Sequence, residues 1–258
     1  MKLDLVGKTA LITGGSKGIG LACARQLLEE GVRVAICSRS QSSIDEARRL
    51  LPEATAFVAD LTSAEEAADV VQKAKAQLGS IDILVNSAGA AKRTPPADLT
   101  PAAWRAAMDA KYFTYINVID PVIKLMAEHR GGVIINIIGA GGKTASPVHI
   151  PGGAANAALM LVTAGLANAY ASKGVRVLGV NPGLTQTGRV AEGLKAEAKL
   201  SGVTEDEALA KAVEKIPLGR LASPEEVANV VTFLASPAAS YVTGVNIGMD
   251  GAQTTVIV

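Results

Sequence analysis

Two sets of residues offer chemistry. The first is a run of glycines, Gly14, Gly15, Gly18 and Gly20, enclosing Ser16 and Lys17, directly behind the apolar stretch Ala10–Ile12. Glycines in the pattern G-x-x-x-G-x-G let backbone N–H groups and a helix N-terminus approach a pyrophosphate with no Cβ in the way. A tight turn without a ligand uses the same residue types, so the weight comes from the position of this one at the first βα junction. The second set follows later apolar runs: Ser38 and Arg39, Asp60 and Leu61, Asn86 to Gly89, and Pro182 to Thr187. In an open α/β sheet the ligand lies across the carboxyl ends of the strands, where these residues must fall. Arg39 and Lys17, with no competing carboxylate, suit a 2′-phosphate and favour NADP over NAD; ordinary surface charges are the plain alternative.

The elements that must position these residues are legible as alternating patterns. Strand-like runs recur at 10–12, 32–37, 55–58, 83–85, 133–138, 175–180 and 245–247, most separated by Ala- and Leu-rich helical segments. Near-continuous apolar strands alternating with helices predict a Rossmann-type doubly wound α/β sheet of seven mainly parallel strands, covered by helices on both faces. With no repeat, low-complexity tract or linker, the whole chain 1–258 reads as one domain.

Composition narrows the function classes. Hydrophobic residues make up 49%, charged residues 19%, and the net charge is +1, which excludes a nucleic-acid footprint and favours a small-molecule substrate. Cys23 and Cys37 have no third partner and no C-x-x-C spacing, so they read as small buried residues in a reducing compartment, with no metal site. No charged leader precedes the first strand and no stretch of about 18 uninterrupted apolar residues occurs, so a cytoplasmic protein without a membrane partner is expected. The nearest approach, Ala157 to Ala171, is broken by Thr163, Gly165, Asn168 and Tyr170 and reads as a helix buried on most sides, with another subunit as one possible cover.

Thr13 to Gly20, TGGSKGIG, resembles the T-G-x-x-x-G-I-G signature of the short-chain dehydrogenase/reductase family, and further matches run from about Val6 to Gly251. The resemblance implies NADP(H) held by Gly14, Ser16, Lys17, Gly18, Ile19 and Gly20, with Ser38 and Arg39 at the ribose and Asp60-Leu61 at the adenine. Asn86-Ser87-Ala88-Gly89 resembles the family's N-N-A-G motif, placing Asn86, Ala88 and Gly89 at the cofactor. Asn181 to Thr187 resembles the P-G-x-x-x-T loop, in which Pro182 and Gly183 line the site and Thr187 reaches the nicotinamide carboxamide. Residues 191–215 occupy the place of a substrate lid, with a solvated helix pair as the simpler reading. Residues 217–251 resemble the segment that builds a tetramer in relatives, implying a homotetramer or homodimer.

The family reduces carbonyls with a Tyr and a Lys one helical turn later, a Ser about 13 residues upstream, and an Asn on an earlier helix. By the flanking motifs these positions hold Gly152, Asn156, Gly139 and Lys111. Tyr170-Ala171-Ser172-Lys173 looks like the missing pair, but its spacing is i,i+3 and it precedes a strand, at the end away from the cofactor. General acid–base help is worth about 10²–10⁴ in rate, so the usual mechanism is excluded. Three residues stand as candidates. Lys111, taken out of water, can donate a proton or hold an oxyanion, or is a surface lysine. His149 is an acid or base near neutral pH, or an idle loop residue. Asn156 caps, or hydrogen-bonds the ribose. His129, at a helix end, reads as a surface residue. An oxidoreductase with a rearranged acid/base set is therefore expected, acting on a small carbonyl, alcohol or conjugated substrate. The alternatives are a non-catalytic nucleotide sensor or partner subunit, and a lyase or hydrolase reusing the pocket.

Overall fold

In the computed structural model, residues 2–89 and 91–255 are described. Along the chain run β1 (Thr9–Thr13), α1 (Gly18–Glu29), β2 (Arg33–Ser38), α2 (Gln41–Leu50), β3 (Thr55–Val58), α3 (Ala64–Leu78), β4 (Ile83–Asn86), α4 (Pro101–Met108), α5 (Thr114–Glu128), β5 (Gly132–Ile137), α6 (Ile150–Tyr170), β6 (Val175–Pro182), α7 (Gly188–Ser201), α8 (Glu205–Glu214), α9 (Pro224–Ala235) and β7 (Asn246–Met249). The strands form one sheet in the order β3-β2-β1-β4-β5-β6-β7. Every pairing is parallel, with Leu11 level with Ala35 on one side and Leu84 on the other. The order reverses between β1 and β4, which opens a crevice at the carboxyl ends of these strands.

Successive residues of a strand face opposite sides, and both sides are apolar here. Ile12 joins a core with Leu27 of α1 and Val231 of α9, whereas its neighbour Leu11 joins one with Val70 of α3 and Val118 of α5. Helix starts follow their caps: the hydroxyls of Ser40, Ser63, Thr100, Thr187, Thr204 and Ser223 each accept from a backbone N–H in the first turn of α2, α3, α4, α7, α8 and α9.

Helix α6 is long and apolar enough to span a membrane by length and composition. Its burial within one chain is a single stripe, Gly152, Ala155, Asn156, Leu159, Thr163 and Ala167, and Leu161 on the far side is 76% exposed, so any cover on most sides has to come from another subunit. Burial follows the helical repeat because only one face meets β6. Residues 191–215 fall into α7 and α8, a pair of mostly exposed helices, as the simpler of the two readings has it. The two cysteines are buried and unpaired, and burial pushes both thiols up to about 12.

Candidate active site

A cleft of about 650 Å³ lies along the carboxyl ends of the strands. At its centre is the turn between β1 and α1. Gly14 has φ +65°, and a Cβ there would stand 2.8 Å from Ala88 Cα, so only glycine lets this turn press against the loop after β4. The two loops are tied together by Thr13, whose hydroxyl accepts from the N–H groups of Ser87 and Ala88 at 3.1 and 3.2 Å. Helix α1 then starts at Gly18 with Lys17 in the capping position and no side chain on its first-turn N–H groups. Among the described residues six other helices carry a side-chain cap; this one presents free donors to the cleft, the arrangement that binds a phosphate.

Of the expected cofactor residues, Gly14, Ser16, Lys17, Gly18, Ile19, Ser38, Arg39, Asp60, Leu61, Ala88, Gly89, Pro182, Gly183 and Thr187 all line this cleft. Asn86 and Gly20 do not. Asn86 is buried in the sheet: its amide donates to Asn136 at 3.0 Å and its carbonyl accepts from Thr13 at 3.4 Å, while Asn136 donates to Thr163 of α6 at 3.0 Å. Asn86 therefore ties β1, β4, β5 and α6 together beneath the site. Gly20 packs on the Gly14 carbonyl, where a Cβ would collide. The carboxylate-free surroundings expected for Lys17 are also corrected, because Glu46 of α2 stands 3.8 Å from its ammonium. Both groups are well exposed, and a pair this long and wet contributes little. Thr187 caps α7 through its hydroxyl, and its methyl faces Gly18, 3.2 Å from where a Cβ would stand.

Lys111 lies at the inner end of the cleft with Ala110, Thr114, Ile137 and Gly139. It is not a surface lysine: 7% exposed, it sits in a π-helical turn, Asp109–Phe113, between α4 and α5. Thr114 holds the turn open by donating to the Asp109 carbonyl at 2.9 Å. Lys111 Nζ donates to the Tyr115 hydroxyl at 2.8 Å and to the Ile137 carbonyl at 2.9 Å, and Tyr115 also donates to that carbonyl. Burial, with Arg189 as a second cation, pulls the Lys111 ammonium down to about 7; burial pushes the Tyr115 phenol well above its ordinary value.

The other two candidates stand behind Gly139. The His149 ring lies over the first turn of α6, where a side chain at Gly152 would otherwise be, with Nδ1 2.8 Å from the Cβ position. That Nδ1 is buried without a hydrogen-bond partner. Burial, then Arg93 and Lys111, lower the His149 pKa, so the ring is neutral at pH 7 and is no proton donor there. Asn156 is buried, with Nδ2 3.5 Å from a Cβ position at Gly139. Its amide lies toward Gly139, which the motifs align with the family's Ser. Gly139 has φ +113° and ψ 149°, a conformation glycine alone adopts readily.

Tyr115 and Arg189 were not legible as site residues. Lys111 and Tyr115 at i,i+4 are a Lys-x-x-x-Tyr pair, the reverse order of the family motif on a different helix, and that spacing was the available signal. Arg189 follows the loop motif by two residues and carries no mark of its own. Tyr170 to Lys173 close α6 at the amino end of β6, opposite the cleft, and His129 is exposed at the end of α5.

A doubly wound sheet whose cleft meets an uncapped helix start defines a dinucleotide-binding α/β protein. The chain belongs to the short-chain dehydrogenase/reductase family, whose enoyl-(acyl carrier protein) reductase type matches residues 14–254. It is 32% identical to the 3alpha-hydroxysteroid dehydrogenase of Mediterraneibacter gnavus over 98% of this chain and 99% of that protein. It is 33% identical to the 3-oxoacyl-[acyl-carrier-protein] reductase FabG of Thermotoga maritima over 96% and 98%. The L-sorbose reductase of Gluconobacter frateurii, solved with NADPH and L-sorbose, superposes over the full length of both chains with a TM-score of 0.93 at 28% identity.

Proposed function

We propose that this protein is an NADP(H)-dependent oxidoreductase of small carbonyl, alcohol or conjugated substrates in which the Lys111–Tyr115 pair handles the proton. The observation that carries the reading is a buried lysine, poised near neutrality, at the inner end of a cleft whose other end carries Lys17 and Arg39.

The residues present fit the cofactor. The α1 N-terminus and the glycine turn would hold the pyrophosphate, Arg39 and Lys17 the 2′-phosphate, Asp60 and Leu61 the adenine, and Thr187 the nicotinamide amide. NADPH supplies the hydride. The chain supplies the rest. An ammonium has three N–H groups, and Lys111 commits two of them, to Tyr115 and to Ile137 O. Giving up the third proton leaves a neutral amine with both fixed bonds intact, so the side chain need not move as it titrates. Tyr115, raised by burial, stays protonated and serves to position the amine. The protein is expected to act as a homo-oligomer through residues 217–251, where Leu218, Tyr241 and Val245 are exposed.

The test is a fluorescence titration with NADPH and NADH, followed by deuterium transfer from labelled NADPH to small ketones, aldehydes and enones. Arg39→Asp should weaken NADPH about tenfold to hundredfold, the worth of a charge-assisted phosphate contact, and leave NADH nearly unchanged. Lys111→Met should keep NADPH binding and lose about 10²–10⁴ in transfer rate. Binding without transfer would favour the nucleotide sensor, a reading supported by the lack of Ser and Tyr at Gly139 and Gly152. Absence of binding would overturn the oxidoreductase.

A further inference from the structure

We propose that Asn156 is a catalytic residue that binds the substrate's oxygen through its amide Nδ2, across the space left open at Gly139 and facing the Lys111 side of the cleft. The proposal rests on the oxidoreductase reading above and names the group that replaces the missing hydroxyl.

Three observations carry it. Asn156 is 6% exposed, and its side chain has no hydrogen-bond partner among the described residues. The fully enclosed side-chain atoms without a partner among the described residues belong to His149, Asn181, Thr232 and Asn246, so the unpaired Asn156 amide still reaches solvent and is open to a ligand. The buried Asn86 and Asn136 show the contrast, since both are bonded in the chain that runs from Thr13 to Thr163. Second, the amide has a direction. Nδ2 stands 3.5 Å from the Cβ position of Gly139 and 3.7 Å from that of Gly141, so it looks into the volume that side chains there would fill. Gly139 itself lines the cleft beside Lys111 and Ile137, which makes it the opening through which the amide is reached. Third, that opening is fixed by the backbone. At φ +113° and ψ 149° a side chain at position 139 is strained whatever the room, so the volume stays empty of protein.

The ligand class follows from the donors. A neutral amide N–H on one side and an ammonium on the other hold an oxygen that becomes negative: a carbonyl passing to an alkoxide, or an enone passing to an enolate. As the carbon is reduced, this oxygen takes the proton from Lys111 Nζ, which leaves a neutral amine. Asn156 donates throughout and loses no proton.

The probe is 4-nitrophenol, whose phenolate absorbs visibly, titrated into the protein saturated with NADP⁺. The wild type should bind it as phenolate and raise its ionised fraction at a pH where the free phenol is mostly neutral. Asn156→Ala should weaken phenolate binding about tenfold to hundredfold, the effect of one hydrogen bond to a charged oxygen. Asn156→Ser, which keeps a shorter donor, should recover part of it. Both variants should bind NADPH within about twofold of the wild type. A fold defect moves NADPH binding as well; a lost oxygen donor does not. Unchanged phenolate binding in Asn156→Ala, or no phenolate binding by the wild-type complex, overturns the proposal. Failure of NADPH binding in the wild type would instead overturn the oxidoreductase reading on which it stands.

Discussion

Replacing Lys111 by Met tests whether the amine is held near neutrality by burial. The groups that face it are the Tyr115 hydroxyl from α5, the Ile137 carbonyl from β5, Arg189 from α7 and the neutral His149; no carboxylate is among the groups that shift it. The folded chain therefore holds the ammonium at about 7 against an ordinary 10.5. Between these values the unfolded chain binds more protons than the folded one, so stability rises with pH across that window and the penalty is complete below about 7. At 1.36 kcal/mol per pH unit the penalty is about 5 kcal/mol in all, of which about 3 lies between pH 7 and pH 9.5. Met fills a similar volume and does not titrate. Lys111→Met should melt above the wild type at pH 7, and the gap should narrow by about 6–12 °C at pH 9.5. Scanning calorimetry of both proteins at matched concentration reads this directly. A gap that stays constant with pH would show that Lys111 is as well hydrated as a surface lysine, and the proton-handling role would fall with it.

Two further substitutions probe Gly139 and Gly152. Gly139→Ala has room for its methyl, 3.5 Å from Asn156 Nδ2, so its cost is backbone strain of about 1–3 kcal/mol; an unchanged melting midpoint would refute the left-handed conformation. Gly152→Tyr must expel the His149 ring and should destabilise by about 1–3 kcal/mol, with most of the loss recovered in Gly152→Tyr/His149→Gly. Urea denaturation of the double-mutant cycle checks this, and strictly additive effects would place the ring elsewhere.

The sheet was legible because its strands are buried on both faces. A run such as Ala10 to Ile12 has to be apolar throughout, whichever helix covers it, and the predicted runs lie within a residue or two of the observed strands. The glycine turn was legible for a steric reason that sequence spacing preserves. Asn86 was read as a cofactor contact because its motif lies at the right strand end; its side chain points into the sheet, and no spacing reveals which way one residue of a pair points. Glu46 beside Lys17 depends on the rotation of α2, equally invisible in the sequence. Lys111 was ambiguous for a deeper reason. On a regular helix its partners would follow from i±3 and i±4 spacing, but a π-turn shifts the register and sends the side chain toward β5.

On our reading of the motifs, Gly139, Gly152 and Asn156 stand where the family has Ser, Tyr and Lys, and the buried lysine argues against a decayed site. Removing an ammonium from water is unfavourable by several kcal/mol, and a chain that needed only to hold a nucleotide would be more stable with an apolar residue at 111. The surrounding changes fit the lysine's presence. Gly152 makes room for a His149 ring that is neutral and so adds no further positive charge beside Lys111. Gly139 opens a path between Lys111 and an amide that has no other partner. On the proposal above, each of these positions serves an oxygen held between Asn156 and Lys111. Restoring the family's residues one at a time should therefore lower activity before it raises it, because each restored side chain takes the space that the present arrangement leaves for substrate.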